Sequence, residues 1–185
     1  MEPNPKKRRK SMKLMTIIAA LCTAAVLSAA ETSLWNGDKA AIQVGKAVTT
    51  TVENGVMTFV GKANPVGGKY GYVWPQVKIA PTVFQGKKLA FSVEPATSYA
   101  GDTIYIKGLA AGKDKIVFSY IARQVPAKKN TYVLNIGEDS GAFKWIPAQV
   151  NTPADTPVIR LDLIMGRNAD GSEMKVSFSD IKLID

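Results

Sequence analysis

The segment Tyr70-Gly71-Tyr72-Val73-Trp74-Pro75-Gln76-Val77-Lys78-Ile79 holds the residues of this 185-residue chain best suited to recognition chemistry. In an extended strand, side chains two apart share a face. The apolar positions Val73, Val77 and Ile79 read as core-facing, which turns Tyr70, Tyr72, Trp74, Gln76 and Lys78 to the opposite side. Aromatic rings there can stack on the C–H faces of a pyranose, while an amide and an ammonium hold its hydroxyls. The alternative is that Pro75 breaks the register and the rings pack inside the protein, as aromatics commonly do.

Other residues join by the same parity. Tyr105, between Ile104 and Ile106, points outward together with Lys107. Arg160 and Asp162 occupy the polar face of a strand whose other face carries Ile159, Leu161, Leu163 and Met165. Those two charges can bond sugar hydroxyls, or simply pair with each other as a solvated face. Trp35 and Trp145 are read as packing residues.

These residues belong to a chain of short strands. Val48–Val52 and Val56–Val60 flank Glu53-Asn54-Gly55, and Asn-Gly between β-rich runs predicts a hairpin. Further runs are 70–79, 88–93, 103–107, 115–121, 131–136, 143–146, 158–165 and 174–183. They are separated by Gly67-Gly68, Pro81, Gly86, Gly101-Asp102, Gly112-Lys113, Pro126, Gly137, 151–157 and Asp170-Gly171. Such spacing predicts an all-β antiparallel sandwich or barrel. Leu89, Phe91 and Val93 alternate with Ala90 and Ser92. Met174, Val176 and Phe178 share a face from which Ile181 and Leu183 are out of phase by one residue, so a bulge is expected near Ser179-Asp180.

The N-terminus has the form of an export signal. Lys6-Lys7-Arg8-Arg9-Lys10 and Lys13 precede the apolar segment 14–27, and Ser28-Ala29-Ala30 supplies small residues before a cut ahead of Glu31. The apolar run is shorter than the roughly 20 residues that span a bilayer. Lys-Lys-Arg-Arg-Lys alone would suit a nuclear address, but the apolar core follows too closely. Cys22 follows Leu21 inside that core and does not read as a lipid attachment site. Either Met1 or Met12 can open the signal. Residues 1–30 are thus expected to be removed, leaving one β-sandwich domain over 31–185, secreted or periplasmic, with no membrane insertion.

Removal of 1–30 takes away six of the 24 basic residues and one of the 15 acidic ones, reducing the net charge from +9 to about +4. The remaining excess is scattered, unlike the basic stripe of a nucleic-acid binder. The chain contains no histidine, which excludes serine and cysteine triads built on imidazole, as well as His-ligated zinc. With a single cysteine it forms no internal disulfide. Chemistry by two carboxylates, as in glycoside hydrolysis, stays open.

The closing run Met174-Lys-Val-Ser-Phe-Ser-Asp-Ile-Lys-Leu-Ile184 resembles the last strand of galactose-binding-like jelly rolls, among them many bacterial carbohydrate-binding modules. The stretches 52–59, 70–75 and 86–93 are similar to segments at corresponding places in such modules. The resemblance is diffuse over the whole mature region and implies a jelly-roll sandwich. It also implies, less directly, a glycan or polysaccharide as partner. In such modules an acidic residue near the final strand often helps hold a structural calcium, which makes Asp180 the metal-ligand candidate, with Asp38 or Glu31 beside it. Calcium takes six to eight oxygen ligands.

A non-catalytic polysaccharide-binding protein is therefore the leading expectation. Its site residues would be Tyr70, Tyr72, Trp74, Gln76, Lys78, Tyr105, Arg160 and Asp162. A structural or adhesive cell-surface sandwich that binds another protein is the second expectation, and a histidine-free glycoside hydrolase or lyase the third. Export predicts that mass spectrometry of the secreted protein finds Glu31, or a residue within a few positions of it, at the N-terminus. Recovery of Cys22 in the soluble exported form would overturn this.

Overall fold

The structure is a computed structural model that describes residues 29–45, 48–62, 70–96, 103–168 and 173–185. Residues 1–28 of the expected signal segment 1–30, and the turns at Gly67-Gly68, Gly101-Asp102 and Asp170-Gly171, lie outside the described residues. Among the described residues thirteen strands form two antiparallel sheets.

The first sheet has six strands. Its main path runs from β10 (Asn130–Asn135) through β7 (Lys88–Pro95), β13 (Glu173–Ile184) and β4 (Val56–Lys62) to β3 (Val48–Glu53). The short β1 (Glu31–Ser33) pairs with the far end of β13, so the described chain's beginning is tied to its end. The second sheet has seven strands, β11 (Phe143–Trp145), β9 (Ile116–Arg123), β8 (Thr103–Ala110), β12 (Val158–Asn168), β6 (Gln76–Thr82) and β2 (Ile42–Gln43), with β5 (Tyr70–Val73) also on β12.

Alternation places the core between the sheets. Phe59, Phe91, Val176 and Phe178 from the first sheet meet Val73, Val77, Ile106, Leu161 and Leu163 from the second, all essentially buried. Aromatic edges lock the layers. The Phe91 and Phe143 rings meet at 5.5 Å and 83°, and Phe84 and Phe118 lie 5.0 Å apart. Trp35 is buried with its Nε1–H donating to the Asp38 carbonyl at 3.0 Å, and Trp145 packs on Tyr120 at 5.2 Å. Both tryptophans are packing residues, as expected.

The expected hairpin forms between β3 and β4, with Glu53 opposite Val56. Asn54 and Gly55 take φ of 50° and 72°, the left-handed pair that a two-residue turn requires. The β13 ladder shifts register between Ser179 and Lys182, and the bulge returns Ile181 and Leu183 to the core.

Three expectations change. Ile159 is only half-buried, because the β12 ladder is irregular between Val158 and Arg160 and Val158 takes the core position instead. Pro81 lies within β6 and not in a turn. It sits beyond the β2 pairing, where β6 is an edge and its missing N–H costs no ladder bond on that side. Ala90 and Ser92, expected on a solvated face, are buried as well; Ser92 Oγ bonds Thr131 Oγ1 at 2.9 Å.

Leu161 is fully buried at the centre of the second sheet. Leu161→Ala should therefore cost about 2–5 kcal/mol in denaturant unfolding. A loss below about half a kcal/mol would mean that the strand is packed differently.

Candidate functional site

The outward face of the seven-stranded sheet gathers the aromatic and polar residues singled out in the sequence. Its alignment depends on the Trp74-Pro75 step. Val73 pairs with Met165, and Gln76 pairs with Asp162, so β5 and β6 keep one register along β12. Across the gap the Leu163 N–H donates to the Pro75 carbonyl at 3.0 Å. Pro75 removes a donor but adds no residue, so parity survives it. Val73 and Val77 are accordingly buried, while Tyr72 and Trp74 are 48% and 46% exposed. Tyr70 lies on β5, but its side chain falls outside the described residues.

The facing strands carry the other residues. Ile164 on β12 stands opposite Tyr105 on β8, and Asp162 stands between Gln76 on β6 and Lys107 on β8. Arg160 pairs in register with Lys78. Side chains directly opposite in a ladder share a face. Tyr72, Trp74, Gln76, Lys78, Tyr105, Arg160 and Asp162 therefore lie on one face, as the alternation predicts. The Tyr72 ring lies over Gly166, its ladder partner, where an added Cβ would come within 2.8 Å of the ring. A glycine in β12 thus leaves room for the ring to approach the strand.

Trp74 separates two concavities. On one side Tyr72, Tyr105, Lys107, Gln149 and Ile164 join it around about 220 Å³. On the other, Ile42, Gln43, Val44, Gly45 and Gln76 join it around about 760 Å³. Ile164, only 4% exposed, forms the floor beneath the rings. Gln149, Gln43 and Ile164 were missed in the sequence. Gln149 arrives on a 3-10 turn (Pro147–Gln149) and is held by Ser119, whose hydroxyl donates to Oε1 at 2.8 Å. No local pattern announces such a placement.

Asp162 corrects the picture of a solvated charge pair. Its side chain is 1% exposed, and Arg160 Nε lies 2.8 Å from Oδ1. That contact is an ion pair off the line of a good hydrogen bond, and neither carboxylate oxygen completes one among the described residues. Burial raises the Asp162 carboxyl above its ordinary value, while Arg160, the Trp74 indole and Lys107 pull the other way. Lys107 Nζ stands 5.9 Å from the centre of the Tyr105 ring, within cation–π reach.

Asp180 lies away from this face, at the β13 bulge, with φ of 54°. Its carboxylate accepts from Ser179 Oγ at 2.9 Å and faces Lys129 at 3.5 Å, which hold it below the usual carboxyl range, the serine contributing most. Glu31 is paired with Lys182 at 2.7 Å, and Asp38 caps a 3-10 turn (Lys39–Ala41) by accepting from Ala40 N–H at 2.8 Å. No cluster of three acidic or cysteine side chains fit for a metal occurs among the described residues. Asp180 reads as a charged residue at a bulge.

The raised pKa of Asp162 has a definite sign. The unfolded chain releases this proton near the ordinary value of 3.8 and the folded one only at higher pH, so ionisation opposes folding across that interval. In urea melts from about pH 3.5 to about pH 7, Asp162→Asn should gain stability relative to wild type as pH rises, then level off. A relative loss with rising pH would show the carboxylate to be a net stabiliser.

No protein-family model matches the chain, and no curated protein is similar to it in sequence. Solved structures are similar in fold. An agarase, AgWH50C, matches with a TM-score of 0.56 at 9% identity over 84% of this chain, which spans 24% of the agarase. The family 11 carbohydrate-binding module from Clostridium thermocellum, in complex with a β-1,3-1,4-mixed-linked tetrasaccharide, matches with a TM-score of 0.53 at 13% identity. That match covers 83% of this chain and 95% of the module. A mutant of the family 29 module CBM29-2, complexed with cellulohexaose, gives 0.51 at 17% identity over 84% and 91%. The chain shares the antiparallel β-sandwich fold of these carbohydrate-binding modules.

Proposed function

We propose that this chain is the non-catalytic, polysaccharide-binding domain of an exported protein, and that it holds its ligand on the outward face of the seven-stranded sheet. The observation that carries this reading is Trp74. It is a large ring 46% exposed at the step between β5 and β6, flanked by Tyr72 and Tyr105 and standing between two concavities. An exposed ring at such a place adds little to packing and offers a stacking surface. Two concavities sharing one wall suit a run of sugars and not a single one. Tyr70, Gln76, Lys78 and Arg160 complete the proposed surface, with Asp162 buried beneath it.

Export is supported by the basic, apolar and small-residue succession before Glu31. A binding role, in preference to hydrolysis, is supported by the single carboxylate that the described part of this face contains, Asp162, since glycosidases work with a pair. The matching modules that this chain covers almost entirely also point to binding.

Trp74→Ala tests the assignment. Affinity electrophoresis against polysaccharides that retain the wild type should show retention abolished. The thermal midpoint should move by no more than about 2 °C, roughly half a kcal/mol for a domain of this size. Unfolding of the variant would place Trp74 in the core, and unchanged binding would place the ligand surface elsewhere.

A further inference from the structure

The same face narrows the class of glycan, an inference that rests on the binding reading above. A neutral pyranose carries hydroxyls that both donate and accept, so its sites set carboxylate and amide oxygens beside N–H donors. Here the strongest acceptors are buried out of a ligand's reach or engaged within the protein. Asp162 is sealed under the surface against Arg160. Gln149 Oε1 is engaged by Ser119, so what this lining residue has left to offer is its amide N–H donors. Only the amides of Gln43 and Gln76 keep an acceptor of that strength on the described surface.

The cations are not spent. Lys78 stands beside Arg160 and Lys107 beside Asp162, on opposite sides of β12. Neither lysine forms a salt bridge among the described residues. The Arg160–Asp162 pair is neutral as a unit, so the surface over it carries the charge of the two ammonium groups. Each is a compact, mobile donor with no accepting atom. A face rich in donors and net positive suits a ligand whose projecting groups only accept. The geometry points to an anionic polysaccharide, bearing sulfate esters or uronate carboxylates, with Lys78 and Lys107 receiving its charged groups on either side of the buried Arg160–Asp162 pair.

The test is affinity electrophoresis of the full mature chain in gels containing κ-carrageenan, alginate, agarose or hydroxyethylcellulose. It compares wild type, Lys78→Gln/Lys107→Gln and Trp74→Ala. A Lys113→Gln/Lys115→Gln variant removes the same charge from the exposed β8–β9 turn as a control. The wild type should be retained by κ-carrageenan, by alginate or by both, which identifies sulfate, carboxylate or either as the anion recognised. Retention should weaken about tenfold in Lys78→Gln/Lys107→Gln and fall between about 0.05 and about 0.5 M NaCl. The control should bind like wild type, and Trp74→Ala should not bind.

Retention by agarose or hydroxyethylcellulose as strong as by the anionic polymers would overturn the anionic ligand and leave the glycan-binding face standing. Equal weakening in both lysine pairs would overturn it as well, by reducing the effect to overall charge. Retention by none of the four polymers would remove both readings.

Discussion

Strand β12 is the member on which both the core and the candidate site depend. It pairs with β8 along one side and with β5 and β6 along the other, so its period-2 alternation is imposed on three neighbours. Leu161, Leu163 and Met165 face the first sheet and are buried there. Arg160, Asp162, Ile164 and Gly166 face the other way and form the floor of the aromatic surface. A slip of one residue would exchange the two sets, burying charges in the core and exposing leucines. Apolar burial of the core side therefore sets the positions of Trp74, Tyr105 and Lys107 as firmly as any contact among themselves.

That constraint explains how the protein holds a costly group buried beneath its surface. A carboxylate removed from water is tolerated only with compensation, and Asp162 has one ion pair, to Arg160, and no well-formed hydrogen bond among the described residues. Neighbouring strands hold it in place whatever its own energetics. Ile164 beneath the rings and Gly166 beneath Tyr72 serve the same surface more quietly. One supplies an apolar floor, and the other lets a ring approach the backbone.

Stability must come from packing, because a chain with one cysteine closes no internal disulfide. The aromatic contacts between Phe91, Phe143, Tyr132, Phe84 and Phe118 sit at the opposite side of the second sheet from the exposed rings. Aromatic residues thus have two uses here, separated by strand parity. Phe occupies the core, while Tyr72, Trp74 and Tyr105, which combine an apolar ring with a polar atom, occupy the outward face.

Local alternation determined much of this. The hairpin at Asn54-Gly55, the bulge at Ser179-Asp180, the core positions Phe91, Leu161, Leu163, Val176 and Phe178, and the outward parity of Tyr72, Trp74, Tyr105, Arg160 and Asp162 are all written in neighbouring residues. They could be read because a strand's side-chain period is two and turn chemistry is local. Tertiary structure alone decided which strands became neighbours. It brought Gln149 and Gln43 to the site, buried Asp162, covered Ala90 and Ser92, let Val158 displace Ile159 and kept Pro81 inside a strand. Burial and pairing in a sandwich are set by segments far apart in the chain, and one strand's pattern does not state what will lie beside it.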